Sequence, residues 1–183
     1  MKSATLIGLL LIVLNLTTYG QTAKDTKTAD NQENWKVLTE NNYTIKYPSN
    51  WELNKSGQLG TSFILFSSLS SDADQFKDNV NLLIQDLTGL NLDLDQYIQL
   101  SLNQIKTVAT DAESIESKKI ASGNSNYQKV IYTANQGDLS LKFEQYYWVH
   151  NNKAYVLTLT CEKDQFEAFK MTGEKILNSF KIQ

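Results

Sequence analysis

The segment 139–161 constrains the fold of this chain more than any other part of the sequence. It reads LSLKFEQYYWVHNNKAYVLTLTC, with runs of β-branched and aromatic residues on both sides of Asn151-Asn152. Asparagine tolerates the positive φ angles of a two-residue primed turn, so the pattern predicts a β-hairpin in which Trp148 lies opposite Tyr155. Both faces of the hairpin are apolar near the turn. We therefore expect it to lie inside a sheet that has helices on each side.

Four large side chains share one face of this hairpin and are the candidate residues for binding a partner or ligand: Tyr146, Trp148, Tyr155 and Leu157. They form either a part of the core beneath a helix or an exposed platform on which a partner or a sugar stacks. Packing is favoured, because large aromatic residues opposite each other on paired strands are usually buried. Ser140, Lys142 and Glu144 follow on the same face away from the turn, which predicts partial cover and a groove at its boundary.

The amino terminus resembles a secretory signal. Met1-Lys2 gives a positive end, residues 4–14 are apolar, and Thr18-Tyr19-Gly20 supplies small residues at a cleavage position. A membrane anchor is the alternative, but the apolar run is shorter than the roughly 20 residues that a spanning helix needs. We expect cleavage after Gly20 and a periplasmic or secreted protein without a membrane span. The only cysteine, Cys161, is far from this signal, so the protein is not expected to be a lipoprotein.

Residues 21–33 read QTAKDTKTADNQE, contain no large apolar side chain, and are predicted to be a disordered linker. A single domain is then expected over residues 34–183. The whole chain of 183 residues has 17 lysines and no arginine, against 20 acidic residues. The absence of arginine and the net negative charge argue against nucleic-acid binding. One cysteine also excludes an internal disulfide, so stability has to come from packing.

The remaining elements are predicted from hydrophobic periodicity and from turn-forming residues. Strands are predicted at residues 43–47, 61–69, 80–87, 114–121 and 127–134, with Pro48 ending the first and Trp51 turned back onto the sheet. A helix is predicted to begin with Asp93 as its cap and Gln96 at the capping-box position. A second helix is predicted to begin at Asp164, with Glu167 three residues on as a second capping box. The order of strands, helix, more strands and helix indicates an α+β fold, an antiparallel sheet with helices packed on its faces.

Few residues suggest catalysis or metal binding. Asp72, Asp74 and Asp78 have a calcium-like spacing, but the glycine and terminal glutamate of an EF-hand loop are absent, and a solvated loop is favoured. His150, the only histidine, lies at the predicted hairpin tip, and Cys161 alternates with buried leucines. No catalytic residue, cofactor or metal is therefore expected. A glycosidase built on two carboxylates is the one enzyme class that composition does not exclude.

Two short motifs carry a family resemblance. Residues 43–51, YTIKYPSNW, resemble the opening strand and Tyr-Pro-x-x-Trp turn of the PsbP-like and DcrB-like proteins, and residues 176–181, ILNSFK, resemble their closing helix. With the element order between them, the resemblance spans residues 35–182. It implies an antiparallel sheet sandwiched between helices, in a family of non-enzymatic binding and assembly modules. It offers no catalytic residues to transfer to this chain.

The leading functional hypothesis is a secreted binding or assembly module that acts on an envelope or secreted protein. The alternative is a carbohydrate or small-ligand binder that uses exposed aromatic residues of the hairpin. A purely structural subunit is a third possibility. Neither the partner nor the oligomeric state follows from the sequence.

Overall fold

The computed structural model describes residues 34–71, 74, 76–109, 111–122 and 125–183. The predicted signal peptide and the whole of the predicted linker lie outside these residues. The elements, in chain order, are β1 (Trp35–Glu40), β2 (Tyr43–Pro48), β3 (Glu52–Asn54), β4 (Thr61–Phe66), β5 (Asn79–Asp86), α1 (Leu94–Val108), β6 (Glu113–Ser122), β7 (Ser125–Gln136), β8 (Leu139–His150), β9 (Lys153–Glu162), α2 (Phe166–Asn178) and β10 (Lys181–Ile182).

The strands form two antiparallel sheets. The larger sheet has seven strands in the order β3-β4-β5-β9-β8-β7-β6, and the smaller has three in the order β1-β2-β10. The predicted α+β fold, with an antiparallel sheet and helices on its faces, is thereby confirmed. The separate small sheet was not predicted, because β1 has a single buried residue, Leu38, and β10 is only two residues long.

The hairpin β8-β9 has the predicted register. Trp148 lies opposite Tyr155 and Tyr146 opposite Leu157. Asn151 and Asn152 have φ angles of 48° and 55°, as a two-residue type I′ turn requires. Because β9 also pairs with β5 and β8 with β7, the hairpin occupies the centre of the larger sheet.

The two helices cover opposite faces of this sheet and enclose two cores. One core lies beneath α2 and the small sheet and includes Tyr43, Trp148 and Leu159. The other lies beneath α1 and includes Tyr97 and Tyr147. The expectation that the hairpin is covered on both faces is confirmed. Within the described residues, no helix is long and apolar enough to span a bilayer.

The helix starts were predicted unequally well. Asp93 caps α1 as expected: its side chain accepts from Gln96 N–H at 2.8 Å, and the Gln96 side chain accepts from Asp93 N–H at 3.0 Å. The predicted cap of α2 at Asp164 is wrong. The helix is preceded by Gln165, which has helical φ and ψ and makes no capping bond through its side chain. A tight turn, in which Gln165 N–H donates to Glu162 O, carries the chain into the helix instead.

Candidate functional site

The four candidate residues of the hairpin lie together on one face and are buried. The exposed fractions of Tyr146, Trp148, Tyr155 and Leu157 are 3%, 7%, 3% and 0%. Phe180, after α2, packs over two of them, with ring centroids 5.1 Å from Trp148 and 6.2 Å from Tyr155. This arrangement agrees with the packing interpretation. An exposed platform for a sugar is not present at these positions.

Ser140, Lys142 and Glu144 predicted only partial cover of this face away from the hairpin turn. In the structure the cover extends further. Glu144 is fully buried, and its Oε1 lies 2.6 Å from Lys129 Nζ of β7. Lys129 also reaches Glu174 of α2 at 3.0 Å. Burial alone would lower the pKa of Lys129, but its hydrogen bonds and charge interactions with Glu144 and Glu174 outweigh that effect and raise the pKa. The lysine therefore ties α2 to the sheet where a groove was expected.

The aspartates of the calcium-like spacing have separate roles. Asp72 lies outside the described residues. Asp74 accepts from the backbone N–H and hydroxyl of Ser70, both at 2.8 Å, and from Phe76 N–H at 3.0 Å, so it organises the turn before β5. Asp78 points into the core towards Cys161. Across the described residues, no group of three or more His, Cys, Asp or Glu side chains is placed to hold a metal ion.

Asp78 and Cys161 form a buried polar contact beneath the start of α2. Burial, as the largest effect, raises the pKa of the Asp78 carboxyl to about 7, although hydrogen bonds from the Cys161 thiol and from Glu162 N–H partly oppose this. Burial, and then Asp78 itself, raises the pKa of Cys161 far above its ordinary value. A thiol in this state is a poor nucleophile. His150 is exposed at the hairpin tip, as predicted, and belongs to neither group.

An open groove of about 350 Å³ crosses the outer surface of the small sheet. It is lined by Trp35, Val37, Lys46, Lys175 and Ser179. The first two belong to β1, Lys46 to β2, and the last two to the carboxyl-terminal end of α2. These residues were not predicted as a site, since Lys175 and Ser179 are far from β1 in sequence and only the fold brings them together.

The groove is assembled by strand alternation and one side-chain bridge. Val37 lies opposite Lys46 in the β1-β2 register, so the two side chains leave the sheet on the same, outer face. Ser179 Oγ accepts from Lys46 N–H at 2.8 Å and lies 2.7 Å from the Ile176 carbonyl, to which it donates. This bridge fixes the end of α2 beside β2. Lys175 thereby reaches the same surface as Lys46.

The groove combines apolar and positively charged surface. Val37 is 58% exposed, which is unusual for a valine on a strand, and Trp35 is only partly buried. Lys46 and Lys175 are exposed, whereas the chain as a whole carries a formal charge of −3. A locally basic groove with an apolar wall favours a ligand that has a carboxylate or similar anion beside an apolar group.

The architecture is that of an α+β sandwich in which α2 packs against both the seven-stranded and the three-stranded antiparallel sheet, and α1 covers the other face of the seven-stranded sheet. The chain belongs to the PsbP-like family, since its sequence matches the family model described as "PsbP-like protein" over residues 5–182. The PsbP-like part of the resemblance noted in the sequence is thereby confirmed. A search of curated proteins finds no match.

Solved structures share the fold at low sequence identity. The solution structure of PsbP from the cyanobacterium Synechocystis sp. PCC 6803 matches with a TM-score of 0.64 and 15% identity, covering 87% of this chain and 98% of that one. PA94 of Pseudomonas aeruginosa, described as a putative regulator, matches with a TM-score of 0.57 and 11% identity over 79% of this chain and 94% of that one. LpqN of Mycobacterium tuberculosis, described as involved in cell envelope biogenesis, matches with a TM-score of 0.54 and 9% identity over 81% and 90%.

Proposed function

We propose that this protein is a non-enzymatic binding module of the cell envelope or its surroundings, and that the groove between β1 and α2 is where it binds a protein partner. The groove carries the proposal because it combines an exposed valine, a partly exposed tryptophan and two exposed lysines on one surface. Tryptophan is enriched at protein interfaces, and the two lysines supply the positive charge that selects an acidic partner.

The residue chemistry supports a binding role rather than catalysis. Cys161 is buried with a raised pKa, and His150 lies alone at a hairpin tip, so neither is placed to act as a nucleophile or general base with the other. The groove is lined by lysines, a serine and apolar side chains and by no carboxylate. A carboxylate-pair glycosidase would need two acids at such a surface.

An extracytoplasmic location is part of the proposal. It is supported by the signal-like residues 1–20 and by the description of LpqN, a protein of the same fold, as involved in cell envelope biogenesis. The alternative of a carbohydrate binder that uses the hairpin aromatics loses its main support, since Trp148 and Tyr155 are 7% and 3% exposed.

Charge reversal tests the site. The double variant Lys46→Glu/Lys175→Glu replaces both lysines of the groove, and Lys106→Glu/Lys118→Glu is its control. Each pair joins one exposed strand lysine to one exposed lysine in the last turn of a helix. The two variants therefore have the same net charge and comparable helix-dipole effects.

The exported chain and both variants are affinity-purified from the envelope fraction of cells that produce it. We expect a stoichiometric protein partner with the wild type and the control, and its loss with the groove variant. Equal recovery with both variants would place the interface elsewhere. The absence of any stoichiometric protein would contradict the proposed function itself.

A further inference from the structure

The outer edge of β1 is uncharged on the face that carries the groove. β1 is the terminal strand of the small sheet and pairs only with β2 in the described part of the chain. Its outward side chains, at positions 35, 37 and 39, are tryptophan, valine and threonine. None of them is charged. The charged residues of β1, Lys36 and Glu40, lie on the opposite face, where Lys36 donates to Ser49 O and Glu40 pairs with Lys55. Natural edge strands are usually protected by charges, prolines or bulges that prevent another strand from pairing.

The opposite edge of the molecule shows that protection. β6 ends the larger sheet and carries Glu113, Glu116, Lys118 and Lys119, with an irregularity in its register between Glu113 and Glu116. Charges and bulges of this kind discourage strand pairing. The register of β1 with β2 has no such irregularity, and its two charged side chains are bonded to neighbouring groups of the protein, which leaves its outer edge available for pairing.

The hydrogen-bond alternation of β1 identifies the groups available at the open edge. Ser49 N–H donates to Asn34 O at 2.7 Å, so residues 34 and 49 form a hydrogen-bonded pair. Such pairs alternate along an antiparallel ladder, which directs the backbone groups of Lys36 and Leu38 towards β2. The N–H and C=O groups of Val37 and Thr39 consequently point away from β2.

We propose that the partner binds by adding an extended strand to the edge of β1, and that this strand places a carboxylate over Val37 towards Lys46 and Lys175. This inference rests on the proposed function and specifies its mode. Strand addition supplies backbone hydrogen bonds from Val37 and Thr39, and the groove supplies side-chain selectivity.

The geometry allows the charge contact. Strands in a sheet are about 4.8 Å apart, so an added strand would lie roughly 10 Å from β2, two spacings away. Val37 lies between them, directly opposite Lys46. A glutamate on the added strand and the long side chain of Lys46 can meet above the valine. The fitting segment therefore alternates apolar residues with glutamate or aspartate on the face that it shares with Val37.

A proline substitution separates backbone pairing from side-chain contact. Val37→Pro removes an N–H that points away from β2, so the ladder between β1 and β2 loses no bond, and edge strands tolerate proline at such positions. Val37→Thr changes the side chain but keeps the N–H, which makes it the matched control. Near-identical circular dichroism and melting temperature for the two variants establish that both are folded.

The probe is a displayed library of random nonapeptides, selected on the full exported chain. We expect selected peptides to alternate apolar and acidic residues, to bind Val37→Thr within about threefold of the wild type, and to lose at least tenfold in affinity with Val37→Pro. Peptides that lose affinity with Lys46→Glu but bind Val37→Pro normally would overturn strand addition and leave the groove as the site. An empty selection would overturn the inference as well.

Two other occupants are distinguished by the same proteins. A dimer of this chain that forms in sedimentation experiments and is abolished by Val37→Pro, with no peptide selected, would assign the edge to a second copy. Binding of an acidic polysaccharide such as polygalacturonate, weakened by Lys46→Glu and unaffected by Val37→Pro, would assign the groove to a glycan. Either result contradicts the proposed strand.

Discussion

Gly173 of α2 lies directly over Leu159 of β9. A Cβ atom built on this glycine would be 2.5 Å from Leu159 Cδ2, closer than such atoms approach in folded proteins, and 3.0 Å from Cδ1. Leu159 is fully buried in the core beneath α2. The glycine interrupts the apolar stripe of a helix, where it is unfavourable by about 1 kcal/mol relative to alanine. The close approach of helix and sheet explains its presence.

Gly173→Ala should therefore destabilise the protein in spite of the better helix propensity of alanine. Overpacking a filled core costs typically about 1–3 kcal/mol, which exceeds the gain of about 1 kcal/mol from propensity. We expect the free energy of unfolding in urea to fall by about 1 kcal/mol. Met171→Ala, at a position of the same helix that is 65% exposed, should change it by less than about 0.5 kcal/mol. A more stable Gly173→Ala variant would show that Leu159 moves aside without cost.

Asp78 should make stability depend on pH. Its carboxyl is buried beside Cys161, and burial raises its pKa from the ordinary value of 3.8 to about 7. The folded state then holds a proton that the unfolded state releases between about pH 4 and 7. The unfolding free energy contributed by this group therefore falls as pH rises through that window and is constant above it. A shift of about three units corresponds to at most roughly 4 kcal/mol.

The charges of Asp74 and Glu162 also raise the pKa of Asp78. The control variant therefore keeps both of these residues and changes Asp78 alone. Asp78→Asn keeps the shape of the side chain without a titrating proton. We expect the decline in stability between pH 4 and 7, measured by urea unfolding, to be much smaller in this variant. An identical pH profile for both proteins would mean that folding does not raise the pKa of Asp78.

Cys161 should be protected from thiol reagents. Its side chain is fully buried beneath α2, and burial together with Asp78 raises the pKa of the thiol far above its ordinary value. We expect labelling by a maleimide only after denaturant is added. His150→Cys, which places a thiol at the exposed hairpin tip, should label at once and serves as the control. Rapid labelling of the native wild type would contradict the burial of Cys161.

The parts of the fold that sequence predicts well are those in which local chemistry and packing agree. Asn151-Asn152 fixes the hairpin register, because only residues that accept positive φ suit its turn. Asp93 and Gln96 lie three positions apart as a capping box, and the structure contains both bonds. The start of α2 was predicted wrongly. Asp164 and Glu167 have the same spacing as Asp93 and Gln96, but the chain enters the helix through a turn that directly follows β9.

The groove could not be predicted in the same way. Trp35 and Lys175 are separated by nearly the whole domain, and neither belongs to a motif with its own local chemistry. The burial of Glu144 could not be predicted for a related reason. A glutamate on a strand indicates solvent exposure when it is unpaired, but here Lys129 of β7, which also pairs with Glu174 of α2, compensates its burial.

Trp148 tests the assignment of the hairpin face to the core. Its ring is 7% exposed and lies against Phe180, Tyr127 and Tyr146. Trp148→Ala should lower the free energy of unfolding by about 3–5 kcal/mol, as expected for the loss of a large buried aromatic residue. Trp35→Ala, at the partly exposed wall of the groove, should cost about 1 kcal/mol. A loss below about 0.5 kcal/mol for Trp148→Ala would contradict its burial in the core and would make it a candidate binding residue at the surface again.

Site-specific photo-cross-linking from Val37 in intact cells tests the central claim most directly. A photoreactive amino acid at Val37, which is 58% exposed in the groove, is compared with the same residue at Val108, which is 50% exposed at the end of α1. We predict one discrete protein adduct from position 37, abolished by Lys46→Glu, and none from position 108. Adducts from position 108 alone, or equal patterns from both positions, would contradict the assignment of the binding surface to the groove between β1 and α2.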